Sequence, residues 1–248
     1  MNTHFTLTKK SDLYYMPSSN QHPANTYFHF SFANYYDPNR MNFGALRVFN
    51  DDDVKPHSGF ERHPHRDMEI VSYIIHGQLT HWDSVTKKEQ IIGRGHVQAI
   101  SAGAGVWHSE LNKHNEWVRF LQIWVTPNNT AGPVRYNHHQ FELADRENKL
   151  LHIVGNPDNK DASPLYINSD VNVYVSEITN KQTQVEFELK AGRQAYISNI
   201  EGAVHVEGYP SLQEQDTLEL SQAGKLKFTL KDDHAHFIII EMAQPKNL

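Results

Sequence analysis

The stretch "GFERHPHRDMEIVSYII", Gly59 to Ile75, sets two histidines around a proline immediately before a run that reads as a buried strand. Residues at i and i+2 of an extended segment project to the same side, so His63 and His65 can converge on one point. Spacing alone carries little weight, because a shuffled chain with 17 His in 248 residues would hold about one H-x-H by chance. A second copy, "HAH" at His234 to His236, illustrates this. What surrounds the first pair decides its meaning.

The chain has no cysteine, which excludes disulfides, thiolate metal sites, iron–sulfur clusters and a cysteine nucleophile. His, Asp and Glu remain as the strong side-chain ligands, so any metal is held by nitrogen and oxygen. The balance of 23 Lys+Arg against 29 Asp+Glu, a net charge of −6, offers no electrostatic footprint for a nucleic-acid backbone or an anionic membrane. Direct nucleic-acid and membrane partners are therefore not expected. The segment "MNTHFTLTKKSDLYYM" lacks the apolar core of a signal peptide, and nowhere do about 18 apolar residues run together. These features predict a soluble, cytoplasmic protein.

Outward from the first pair, short apolar or alternating runs recur between turn signals. Met68 to Ile75, Leu79 to Asp83, Glu89 to Ile92, His96 to Ile100, Val106 to Glu110 and Val118 to Val125 are separated by "HGQ", "SVTKK", "GRG", "SAGAG" and "NKHNE". Evenly spaced short strands of this kind predict an all-β sandwich or barrel. "VRFLQIWV" reads as apolar on both faces over much of its length, which suits burial between two layers. A break follows at "TPNNTAGPVRYNHH", Thr126 to His139, and beyond it "VNVYVSEI", "TQVEFELK", "QAYISNIEGAVHVEG", "DTLELS", "KLKFTL" and "HFIIIEM" again read as strands. The expectation is two β-domains, residues 1–134 and residues 135–248, with a metal site in the first alone.

His108 stands in "SAGAGVWHSELN", and Glu110 follows it at the same i, i+2 spacing as the first pair. Two strands of one barrel can each aim two ligands inward. Three imidazoles and one carboxylate leave adjacent positions of an octahedral ion open, as a redox metal needs when it binds both a substrate and dioxygen. Gly103 and Gly105 suit a tight approach to the second strand.

The segment "HPHRDMEIVSYIIHGQLTHWDS" followed by "GHVQAISAGAGVWHSE" resembles the paired signature of the pirin family, a branch of the cupin superfamily. "FSFANYYDP" and "ALRVFNDD" resemble its amino-terminal lead-in. The likeness is good from about Phe28 to Val125 and weaker afterwards. It implies two stacked cupin-type β-barrels (a bicupin), metal ligands at His63, His65, His108 and Glu110, and Fe(II) as the ion. The same donor set accepts Ni, Cu, Mn, Co or Zn. In bacterial members the resemblance implies a quercetin 2,3-dioxygenase, with a flavonol and dioxygen as partners and Glu110 as both ligand and catalytic proton acceptor. In eukaryotic members it implies a metal-dependent redox sensor or transcriptional cofactor, which would act on a protein partner. A sugar-phosphate isomerase of cupin type would need a basic cluster, and only Arg66 lies near the ligands.

Glu69 competes for the carboxylate role, since the wider cupin pattern places a ligand four residues after the second histidine. The pirin resemblance favours Glu110 and leaves Glu69 as a hydrogen-bond partner behind the ligands or an interior polar residue. His234 and His236 read as strand-entrance or surface residues, and His76, His81, His96 and His114 as solvated residues in or near turns. Trp82, Trp107, Trp124, Phe120 and Tyr73 are candidates for an aromatic pocket or, more commonly for strands, for core. Trp107 should point away from the metal by alternation.

Overall fold

A computed structural model describes residues 5–245, the side chains of residues 159–161 excepted. Two compact units divide the chain: residues 14–141 with 165–169, and residues 5–13, 142–164 and 170–245. After β1 (Phe5–Thr8), which belongs to the second unit, the first unit takes β2 (Tyr14–Met16), β3 (Ala24–Phe28), β4 (Leu46–Val54), β5 (Ser58–His65), β6 (Glu69–His76), β7 (Gln78–Asp83), β8 (Glu89–Gly93), β9 (His96–Ser101), β10 (Val106–Asn112), β11 (Val118–Val125) and β12 (Arg135–Gln140). The second unit continues with α1 (Leu143–Arg146), β13 (Leu151–Val154), β14 (Val171–Ile178), β15 (Val185–Leu189), β16 (Arg193–Val206), β17 (Thr217–Leu220) and β18 (Gly224–Ala243). The fold is all-β, and α1 is a single turn. No helix among the described residues is long and apolar enough to cross a membrane.

In the first unit one sheet runs β12-β9-β6-β11-β4-β3-β2 and a smaller one β5-β10-β7-β8. No hydrogen-bonded ladder joins their outer strands, so facing sheets replace the closed barrel expected from the sequence. Between them Val54, Ile74, Val118 and Phe120 of the large sheet pack with Leu79, Ile92 and Phe60 of the small one. A second cluster, Ile70, Ile100, Ala102, Val106 and Tyr136, again draws on both sheets. Apolar burial of this extent is the main stabilising contribution.

The second unit is one sheet, β1-β17-β16-β18-β14-β13, with β15 also paired to β18. "KLKFTL" and "HFIIIEM", which read as separate strands, are the two ends of the 20-residue β18. Its first part pairs with β15 and its last with β14. Register shifts in β16 at Asn199/Glu201 and Gly202/Val204 bend the sheet around a core that includes Ile197, Leu218, Phe228 and Phe237.

This division differs from a single break between residues 134 and 135. β1 pairs antiparallel with β17, which draws residues 5–13 into the second unit. β12 pairs with β9 in full register from Arg135 to Gln140, so the first unit extends to residue 141. Residues 165–169 return to the first unit, where Asn168 accepts the Asn128 amide at 2.7 Å and Ser169 Oγ donates to the Thr126 carbonyl at 2.9 Å.

Candidate metal centre

β5 and β10 are antiparallel neighbours that set His108 opposite His63 and Val106 opposite His65. Alternation turns His63, His65 and His108 to one side and Trp107 to the other, where its side chain is half exposed. One nitrogen of each of the three imidazoles lies within 4.8 Å of the others. His63 Nδ1 donates to the Glu61 carbonyl at 2.6 Å; because a carbonyl only accepts, Nδ1 carries the proton and Nε2 keeps a free lone pair. His65 Nε2 and both ring nitrogens of His108 are buried with no protein partner. Burial, followed by the neighbouring imidazoles, pushes His65 and His108 down to about 3, which keeps both rings neutral and able to bind a cation.

Glu110 reaches toward the large sheet, where a polar row crosses otherwise apolar strands. Asn50, Gln122, Ser72 and Gln98 are successive cross-strand partners on β4, β11, β6 and β9. Three of them hold the carboxylate: Ser72 Oγ at 2.9 Å and Gln98 Nε2 at 2.6 Å from Oε1, and Gln122 Nε2 at 2.7 Å from Oε2. The reading of "VRFLQIWV" as apolar on both faces overlooked Gln122. Its signal was one polar residue near the middle of each of three apolar runs, a weak one without the strand register.

Glu110 falls in a second cluster with His81 and His108, all three buried, with one ligand atom each within 4.8 Å of the others. The four residues expected as ligands therefore lie in two overlapping groups that share His108. His81, read as a solvated turn residue, is fully buried on β7: its Nε2 lies 3.2 Å from Asp83 Oδ2 and its ring stacks on Tyr136 at 4.5 Å. The turn starts only after Asp83, the last residue of β7 and two residues beyond His81; Asp83 Oδ1 accepts the amides of Val85 and Thr86. Burial would raise Asp83, but the hydrogen bonds from His81 and Thr86 outweigh it and hold the carboxyl below its ordinary value.

Glu69 is buried away from both clusters and accepts Ser101 Oγ at 2.7 Å and the Asn168 amide at 2.9 Å. His236 is buried, not superficial, and its Nδ1 lies 2.7 Å from Glu201, while His234 meets Glu177 at 3.0 Å. Among the described residues, both clusters of metal-ligand type lie in the first unit.

A pocket of about 350 Å³ opens beside the histidines, within the range of small-molecule sites. His63, Glu110 and Gln122 line it together with Phe28, Phe32, Phe60 and Trp124. Trp124 also packs edge-on against His65, with centroids 4.8 Å apart. Of the other aromatic candidates, Tyr73 and Phe120 are core. Asn50 and Asp52 of β4 complete the polar wall. Burial pushes the Asp52 carboxyl up to about 7 against the hydrogen bond from Thr26, with smaller contributions from the charges of Asp51 and Glu110.

Neutral imidazoles with unsatisfied buried nitrogens and a hydrogen-bonded carboxylate nearby fit a divalent cation bound by nitrogen and oxygen. The sequence profile described as Pirin matches residues 13–125, and that described as quercetinase C-terminal cupin domain matches residues 153–242. A Caulobacter vibrioides protein named pirin-like protein is 37% identical over 216 residues, 87% of this chain and 90% of its own. An Escherichia coli K12 protein named quercetin 2,3-dioxygenase is 38% identical over 180 residues, 72% of this chain and 75% of that one. The crystal structure of the bacterial pirin YhhW from Escherichia coli in complex with nickel(II) superposes with a TM-score of 0.86 at 29% identity, covering 97% of this chain and all of the other. In sequence and in fold, the chain belongs to the pirin family, with its all-β cupin architecture.

Proposed function

We propose that the protein is a metal-dependent dioxygenase acting on a flavonol such as quercetin. One observation carries this reading: the three-histidine cluster borders a pocket with aromatic walls, so a flat hydroxylated ring system can lie between Phe28, Phe32, Phe60 and Trp124 with an oxygen directed at His63 and Glu110. The name of the Escherichia coli relative supports the substrate class. His63, His65, His108 and Glu110 would hold the ion, with Fe(II) the proposed native metal. When bound, such an ion supplies open positions for a substrate oxygen and for dioxygen.

The protein's own contribution is orientation and exclusion. The Glu61 carbonyl fixes the His63 tautomer, while Ser72, Gln98 and Gln122 fix the Glu110 carboxylate. The aromatic walls keep water from the flat ligand. The test is elemental analysis of anaerobically purified protein followed by oxygen uptake and flavonol consumption on the same preparation. Fe(II)-loaded protein that consumes no oxygen with any flavonol, yet binds a protein partner only with metal, would replace the enzyme by a sensor.

A further inference from the structure

β4 runs between β11 and β3 in the large sheet, and Asn50 and Asp52, two residues apart on it, both line the pocket. Asp52 is only 3% exposed. Its Oδ1 accepts the Thr26 hydroxyl at 2.5 Å, and Thr26 Oγ1 lies 2.9 Å from Nε2 of His22, another lining residue. Thr26 has one proton and gives it to Asp52, so His22 donates to Thr26 and presents its Nε2–H tautomer. No protein partner meets Asp52 Oδ2 among the described residues. A carboxyl anchored by one oxygen and open at the other toward the pocket is placed to meet a polar group of a bound ligand.

Glu110 is differently placed. Three of its roughly four lone-pair positions face Ser72, Gln98 and Gln122. A bound ion would take the remaining one, which leaves nowhere for a substrate proton. Asn50 adds a buried Oδ1 that no protein donor satisfies.

We propose that Asp52, positioned by Thr26 and His22, is the catalytic residue that takes the proton of a hydroxyl on the bound aromatic substrate, an assignment that rests on the flavonol reading of this pocket. The substrate O–H bond breaks, its electron pair stays on oxygen, and the proton passes to Asp52 Oδ2. Once the product has left, Asp52 Oδ2 gives that proton to water entering the pocket, which restores the carboxylate; no oxidant or reductant is consumed in this step. The groups around Asp52 are few. His22 and Thr26 approach from the β3 side, His63 from β5, Glu110 from β10 and Gln122 from β11. On its own strand Asp51 is engaged by Arg119 at 2.7 and 2.9 Å. A carboxyl near neutrality is suited both to accept and to release a proton at working pH.

The experiment uses full-length protein loaded with Ni(II) to equal content, titrated anaerobically with quercetin and with 3-hydroxyflavone. The absorption spectrum of the bound flavonol distinguishes its neutral and anionic forms. Wild-type protein should hold the anion at pH 7. Asp52→Asn should still bind, but its anion should appear at least about one pH unit higher, and Fe(II)-loaded turnover should fall on the order of 100-fold at equal metal content. Asp52→Glu should restore part of both. Thr26→Val keeps the carboxyl while removing its anchor, so the acid limb of its pH–rate profile should move to higher pH; this variant carries the test should Asp52→Asn not fold. An unchanged anion spectrum and rate in Asp52→Asn, or an unmoved acid limb in Thr26→Val, overturns the assignment and leaves the flavonol reading intact. Wild-type protein that binds neither flavonol sinks both, a result that no variant is needed to recognise.

Discussion

His63 and His108 are direct partners across β5 and β10, and their ring centroids lie 4.5 Å apart. With His65 at 4.7 Å from each, the three rings form a closed triangle, in which burial first and the neighbouring rings second keep His65 and His108 neutral. A cation bound only by the folded state stabilises it by about 4 kcal/mol when free ion exceeds its Kd about a thousandfold. Metal should therefore raise the melting temperature of wild-type protein, and a chelator should reverse the gain. His108→Ala should melt at one temperature with or without Ni(II), and elemental analysis should find it metal-free. A metal-dependent melting shift retained in His108→Ala would remove His108 from the ligand set.

Glu110→Gln tests the polar row. A glutamine must turn its amide NH₂ toward Gln122 on one side or toward Gln98 and Ser72 on the other, so a donor faces a donor. Reorienting Gln122 relieves that contact and turns its Nε2 toward Ser72 Oγ, which lies 3.1 Å from Oε1 before the turn and can accept; what is then lost is the extra strength of hydrogen bonds to a charged carboxylate. The expected cost is about 1–3 kcal/mol in unfolding free energy, with metal affinity lowered roughly 10–100-fold. Denaturant titration of the metal-free protein separates the first effect from the second. Wild-type stability in metal-free Glu110→Gln would show that the row does not order the carboxylate.

How much of this was legible follows from which interactions are local. His63 and His65 sit two apart on one strand, as do His108 and Glu110, and the period of two is enough to place each pair on one face. The Ser72, Gln98 and Gln122 support depends on the order of three strands, which no local pattern encodes. Asp52 was obscured differently: "ALRVFNDD" entered only as part of the family resemblance, and nothing local shows that β4 lies inside the sheet, where Asp51 finds Arg119 and Asp52 finds Thr26. Closed barrels were what the pirin resemblance implied; the evenly spaced strands fitted a sandwich or a barrel, because spacing does not reveal whether the outer strands meet.

Acid stability draws on His29 as well as on His65 and His108; His29 is buried beside Phe49 with ring centroids 4.5 Å apart. Burial pushes it down to about 3, only partly offset by Asp51, and Arg40 lowers it further. The folded state thus keeps the ring neutral while the unfolded chain takes a proton near pH 6.5. Below that pH the unfolded state binds the extra proton, so stability is lost as pH falls from about 6.5 toward 3, by about 1.4 kcal/mol per pH unit from this one site. In His29→Gln the slope of unfolding free energy against pH should be shallower by about that amount. Parallel slopes in variant and wild type would mean that His29 protonates without unfolding the protein.

The turn before β10 gives the sharpest backbone test, because "SAGAG" contains two glycines with different constraints. Gly103 has φ +43°, and an added Cβ would lie 2.1 Å from the Gly132 carbonyl oxygen and 2.8 Å from its carbon. The backbone there cannot simply withdraw: the Gly103 carbonyl accepts the Asp67 amide at 3.0 Å, and the Gly132 carbonyl accepts the Ala104 amide at 3.1 Å. Gly105, at φ +141°, meets nothing closer than the His65 carbonyl oxygen at 4.0 Å. Gly103→Ala should therefore combine backbone strain of about 1–3 kcal/mol with a steric clash, whereas Gly105→Ala should carry the strain alone. Because this turn aims β10, Gly103→Ala should also lose metal occupancy in excess of its stability loss, read by elemental analysis at a temperature where both variants remain folded. Equal stability and equal metal content in the two variants would show that the close approach of Gly103 to Gly132 does not position His108.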